Sequence, residues 1–237
     1  MIEWEEHKEG CCVVIPVYKT TPSLFEQMSL KQAVNILGKK RDIFLVAPPD
    51  LDLSVYMDLC PEYRFGTRRL AKGFFENIDG YNQMCKRWEF YSTFSGYEYM
   101  LIYQLDCWIF EDRLDHFMSL GYDYIGAPWF EWTQDRRGLR MTKCGNGGFS
   151  LRRIKRMQEV CRTHEDEADN PKVPEDVFFS ERCRQELKIC PLEVGAEFSF
   201  EVAPSILYKY NDNKLPMGCH KPYLFEYKTF WKKYISF

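Results

Sequence analysis

Residues 11–47 read CCVVIPVYKTTPSLFEQMSLKQAVNILGKKRDIFLVA, and the fold class is decided there. Residues 11–17 form a short, β-branched apolar run, the pattern of a buried strand. Thr21 is placed to cap a helix with Pro22 in its first turn, and Gly38 is placed to end it. Residues 42–47 are a second buried strand, stopped by Pro48 and Pro49. Strand, helix and strand in this order, with both strands apolar, imply an α/β fold whose sheet is covered on both faces.

Further along, a polar helix is expected around residues 55–59, a short strand near 63–65 and a helix over 81–94 leading to Gly96. Residues 97–105, YEYMLIYQL, are the strongest interior strand and run into Asp106. DYIGA at 123–127 reads as another strand, and the polar segment 131–143 as a mobile loop. A glycine turn at 145–148 precedes a strand at 149–151 and a basic helix. HEDEADN at 164–170 reads as a charged surface loop, and Pro174 starts a helix expected to reach about Leu187. With no internal repeat and no linker, residues 1–237 read as one domain.

Composition excludes several functions. A net charge of -3 argues against a nucleic-acid partner, because such binding rests on a basic footprint. Basic residues do cluster at Arg68 and Arg69, at Arg136 and Arg137, and at Arg152, Arg153, Lys155 and Arg156. Each is a solvated face or a seat for a phosphate. The opening segment, residues 1–10, is acidic and polar and carries no secretory apolar region. No apolar run approaches the ~20 residues that span a bilayer. The 10 cysteines are scattered apart from Cys11 and Cys12, and none has C-x-x-C spacing, which suits reduced thiols in the cytoplasm. Aromatic residues make up 16% of the chain, enough to serve the core or to stack on sugar and base rings.

Five stretches carry chemistry. VVIPVYKT at 13–20 is a strand followed by a polar turn, and such turns line the ligand crevice of open α/β sheets. Pro16, Val17 and Tyr18 are therefore candidate nucleotide contacts. YQLD at 103–106 ends a buried strand in a carboxylate, which is either a turn aspartate or a hard ligand for a divalent cation. CGNGGFSLR at 144–152 has three glycines in four residues, so the backbone can approach a ligand or make a tight turn. It is neither a P-loop nor a dinucleotide fingerprint. VPEDVF at 173–178 puts Glu175 and Asp176 at a helix start, where a general base or a helix-stabilising pair would sit. MGCHKPY at 217–223 presents His220 in a polar turn, as a structural residue or a metal ligand.

In this order, VVIPVYKT, YMLIYQLDCWIF, DYIGAPWF, GNGGFSLRR, PEDVFF and MGCHKPY resemble a family of bacterial glycosyltransferase-like proteins associated with cell-surface polysaccharides. The resemblance runs from about Val13 to Tyr223. It implies a GT-A fold, a mixed α/β sheet flanked by helices, with a nucleotide-binding half over about 11–110 and an acceptor half over about 111–223. It implies a nucleotide-sugar donor, a glycan or lipid-linked acceptor, and Mn²⁺ or Mg²⁺ as cofactor. Where that family has a D-x-D motif, this chain has Gln104-Leu105-Asp106. Asp106 is the carboxylate retained, Gln104 lies beside the donor, and the missing partner puts metal dependence in question. The resemblance makes Asp176, with Glu175 as alternative, the base of an inverting transfer, and His220 a second metal ligand. Asn146, Gly147, Gly148 and Trp129 would hold a sugar.

Two other functions compete: a sugar nucleotidyltransferase, and a non-catalytic carbohydrate-binding protein with Trp108, Trp129 and Trp132 as platforms. In the segment 224–237, Leu224, Tyr227, Trp231 and Tyr234 share one helical face. That stripe either packs on the core or, with Lys228, Lys232 and Lys233, makes a peripheral contact at the inner face of the membrane.

Overall fold

The computed structural model describes residues 10–135 and 138–237. The acidic segment before Gly10 and the Arg136–Arg137 cluster lie outside them. The strands are β1 Cys11–Pro16, β2 Ile43–Ala47, β3 Gly66–Arg69, β4 Tyr99–Tyr103, β5 Cys107–Ile109 and β6 Tyr124–Gly126. They continue as β7 Pro128–Trp132, β8 Leu139–Cys144, β9 Phe149–Arg153, β10 Ser199–Phe200 and β11 Gly218–His220. The helices are α1 Leu24–Leu37, α2 Ser54–Asp58, α3 Ile78–Lys86, α4 Trp88–Ser92, α5 Leu114–Ser119 and α6 Ile154–Thr163. After them come α7 Glu165–Ala168, α8 Glu175–Val177, α9 Leu192–Phe198, α10 Pro204–Tyr210 and α11 Phe225–Trp231.

The central sheet has the order β3-β2-β1-β4-β9-β6. Strands β3, β2, β1 and β4 are parallel, and β9 runs antiparallel to both β4 and β6. The sheet is therefore mixed and takes strands from both sides of residue 110. Alternate side chains feed two cores, because neighbouring residues of a strand point to opposite faces. Val13, Ile15, Ile43, Leu45 and Leu101 pack with Leu30, Ala33 and Leu37 of α1. Val14, Phe44, Val46, Met100 and Ile102 pack with α3, α4 and α6. A smaller core joins Phe200, Cys219 and Trp231 beside the three-stranded sheet β10-β11-β5.

Several local expectations shift. Ser23, not Thr21, caps α1, because Ser23 and Glu26 form a reciprocal capping box. The strand expected near 63–65 is β3, polar because it lies at the sheet edge, with Arg68 over the Phe44 ring at 4.5 Å. The helix expected over 81–94 breaks at Arg87, whose backbone is extended, leaving α3 and α4. The loop expected over 131–143 is in large part the antiparallel hairpin β7–β8, since cross-strand pairs such as Phe130 with Met141 are apolar. The surface loop at 164–170 contains the turn of α7. The helix expected from Pro174 to Leu187 is only α8 followed by a π-helical turn, Phe178–Arg182.

All ten cysteines are free and buried. Among the described residues no helix is long and apolar enough to cross a membrane.

Candidate active site

The turns after β1 and β4 open side by side at the carboxyl end of the sheet, where adjacent parallel strands leave a crevice. A cavity of about 400 Å³ lies there. One wall is Pro16, Val17, Tyr18 and Lys19, and the floor is Gln104, Leu105 and Asp106. The segment from Phe74 to Ile78, with Tyr81, closes the opposite side. Pro16 and Val17 are buried, whereas Tyr18 stands 57% exposed. Lys19 is engaged by Glu26 at 2.8 Å.

Strand pairing brings His220 to this floor. In the register of β11 against β5, His220 faces Cys107, and the Lys221 N–H donates to the Asp106 carbonyl at 2.8 Å. His220 Nε2 then stands 3.1 Å from Asp106 Oδ1, and its Nδ1 lies 3.0 Å from Glu201 Oε1, off the direction of an N–H hydrogen bond. Burial alone would depress the imidazole, but the charge and hydrogen bond of Asp106, with Glu201 behind, lift it to about 9. Burial would raise Asp106, yet His220 and Lys221 hold it below the usual carboxylate value. The two shifts run in opposite directions, so each member of the Asp106–His220 pair favours the charged form of the other. Lys221 adopts φ 51°, a left-handed backbone that non-glycine residues take at some cost, often where function requires it.

Asp106, Cys107 and His220 each offer one ligand atom, all within 4.8 Å of one another. The Cys107 thiol donates to the Gly148 carbonyl at 3.3 Å, and burial pushes it well above its ordinary value. That leaves a carboxylate oxygen and an imidazole nitrogen as the fitting donors, a set suited to Mn²⁺ or a similar divalent ion taking the place of the shared proton.

The carboxylate pair divides. Glu175 is 3% exposed and ion-paired at 2.8 Å with Arg152, itself fully buried. Arg152 also donates to Ser150 Oγ, Tyr91 Oη and the Gly147 carbonyl. Asp176 is half-buried and accepts a hydrogen bond from the Val177 N–H at 2.8 Å. Burial, then the charges of Glu175 and Glu201, push its carboxyl up to about 6. A base titrating near neutral pH is what proton abstraction from a hydroxyl requires.

Asn146, Gly147 and Gly148 do not line the cavity. They are buried, with the Gly148 N–H donating to Asn146 Oδ1 at 3.2 Å. Trp129 packs against Gly145 and lies under the Lys143 ammonium at 5.3 Å. Trp108 packs with Phe25, and Trp132 is 67% exposed on the hairpin. In the C-terminal stripe Trp231 is fully buried, stacked on Phe110, so the stripe is held by the core at that point. Glu201, Glu26, Tyr81 and the segment 74–78 were not legible as site residues, because no motif marks them. Arg152 carried a signal, a cation immediately after the apolar run at 149–151, and the structure places it inside β9.

Two solved structures share this architecture. The apo form of mouse xyloside xylosyltransferase 1 aligns with TM-score 0.54 at 9% identity, over 90% of this chain and 97% of its own. The galactosyltransferase LgtC, in complex with donor and acceptor sugar analogs, aligns with TM-score 0.56 at 10% identity, over 88% of this chain and 86% of its own. At such identity the likeness is one of fold, which is GT-A-like: a central mixed sheet flanked by helices. No curated protein matches the chain. Residues 64–220 match the family described as Protein of unknown function (DUF5672), and the chain belongs to that family.

Proposed function

We propose that this protein is a glycosyltransferase that moves a sugar from a nucleotide-sugar donor to a glycan or lipid-linked acceptor, by inversion, in cell-surface polysaccharide assembly. The observation that carries the reading is the cavity at the ends of β1 and β4, floored by Asp106 with His220 beside it. It agrees with the names of the two solved structures that share the fold. Residues 11–110 would serve the donor and 111–223 the acceptor.

In this proposal Asp106 and His220 would hold a divalent cation, which when bound would supply positive charge to a diphosphate leaving group. Val17 and Tyr18 border the nucleoside, and Gln104 the diphosphate. Lys221, 39% exposed at the cavity wall, adds a cation there. Asp176 takes the proton of the attacking hydroxyl, and Glu175, bound to Arg152, keeps the base helix in place. Free, buried cysteines support a cytoplasmic site of action. A peripheral membrane contact rests on Phe225, 93% exposed, beside the exposed Lys228 and Lys232 rather than on Trp231. Flotation of the full chain and of Phe225→Ala with anionic vesicles tests it, and a protein that stays in the soluble fraction at low salt removes it.

The central test is hydrolysis of a panel of nucleotide sugars by the full chain with and without Mn²⁺. Turnover of one donor, lost in Asp176→Asn, is the expected result. Pyrophosphate release from a nucleoside triphosphate and a sugar phosphate would replace the reading with a nucleotidyltransferase.

A further inference from the structure

The carboxylate triplet at the cavity floor is one charge short, since Gln104 occupies its first position. A cation site that loses a carboxylate loses one formal charge of attraction and a fixed oxygen. The structure brings a carboxylate to the same cluster from far along the chain. Phe200 pairs with Cys219 in the parallel register of β10 on β11, so the following residues, Glu201 and His220, are neighbours. Glu201 Oε1 lies 3.0 Å from His220 Nδ1 on the opposite edge of the ring from Asp106, and Lys221 Nζ stands 3.8 Å from the same oxygen. The Glu201 side chain is 14% exposed and that of His220 3%, so water competes weakly for either.

A carboxylate behind a ligating histidine favours the proton on the near nitrogen and makes the free nitrogen a stronger donor; at 3.0 Å and off the N–H direction, Glu201 would act on His220 by its charge. We propose that Glu201 is the positioning residue of this cation site, holding His220 with Nε2 toward Asp106 and supplying from behind the ring the negative charge that Gln104 does not. The inference rests on the cation site assigned to Asp106 and His220, and not on the identity of the reaction.

The test is uptake of Mn²⁺ alone by the metal-free full chain, read from the electron paramagnetic resonance signal of free Mn²⁺, with thermal unfolding of each variant measured in parallel. Glu201→Ala is expected to weaken Mn²⁺ binding about 10- to 100-fold while still folding. Glu201→Asp, which keeps the charge, is expected to restore most of the affinity. Glu201→Gln, which keeps the shape alone, is expected to remain weak. His220→Ala marks the loss of the site. If Glu201→Ala and Glu201→Gln bind Mn²⁺ like the native chain while His220→Ala does not, Glu201 has no such role. If the native chain takes up no Mn²⁺, the inference also fails, and any nucleotide-sugar hydrolysis that persists leaves the transferase reading standing. Conversely, the expected order of Mn²⁺ affinities without turnover of any donor supports this role for Glu201 and overturns the transferase reading alone.

Discussion

Gly148 lies directly against the edge of His220. A Cβ built on Gly148 would overlap the ring at Cε1, stand 2.5 Å from Nε2 and come within 2.8 Å of Gln104 Oε1. The neighbouring Gly147 has the same relation to Glu175, whose Oε1 a Cβ would strike. The glycine turn is therefore a spacer between two charged clusters, thin enough for both to close on it.

Gly148→Ala should push His220 away from Asp106. An added methyl in a packed interior typically costs roughly 1–3 kcal/mol, so denaturant unfolding should show a loss of that order. Mn²⁺ uptake should fall with it. A variant with native stability and native Mn²⁺ affinity would mean that the ring has room that the geometry denies it.

Asp176→Asn should retain donor binding and lose roughly 10²–10⁴-fold in transfer rate. With the carboxyl raised to about 6, the base form fills as pH rises, so the native rate should climb through about pH 6 and level off above it. The stability sign is opposite. A carboxyl raised above its unfolded value costs stability as pH rises through the folded value, so Asp176→Asn should stabilise the protein at neutral pH. For a half-buried group the gain is roughly 1–2 kcal/mol after solvent screening. Equal unfolding midpoints for the two proteins at pH 8 would contradict this.

Arg152→Met should strand the buried Glu175 carboxylate and cost about 3–5 kcal/mol, whereas Arg152→Met with Glu175→Leu should recover much of that loss. Urea unfolding of the two single variants and the double variant forms the cycle that decides it. Additive losses would mean that the pair is not coupled, despite the 2.8 Å contact.

Asp106→Ala should fold and yet bind a nucleoside diphosphate weakly. It removes the floor carboxylate of the cavity and leaves His220 with Glu201 alone. Calorimetry with and without Mn²⁺ measures the change. An affinity unchanged in both conditions would move the diphosphate elsewhere.

Much of this fold was written locally. The runs at 11–17, 42–47 and 97–105 became β1, β2 and β4, because an apolar strand without polar alternation must lie inside a covered sheet. Where expectation and structure part, the cause is tertiary. The polar residues 66–69 became an edge strand only because β2 offered them an open edge, and much of the polar segment 131–143 became a hairpin because its two halves pair. Their place at a helix start and the family resemblance marked Glu175 and Asp176 as one candidate pair. Burial against Arg152 separated them into an ion-paired residue and one with a raised carboxyl.

By itself the sequence determined the strand-forming runs, the aspartate at the end of the strongest one, and the glycine turn, since each depends on residues next to one another. The tertiary structure alone decided that Asp106 meets His220, 114 residues away, and that Glu201 stands behind the ring. The physical reason is register: β5, β11 and β10 share a small sheet, and its hydrogen bonds fix which side chains become neighbours. No spacing along the chain encodes that pairing.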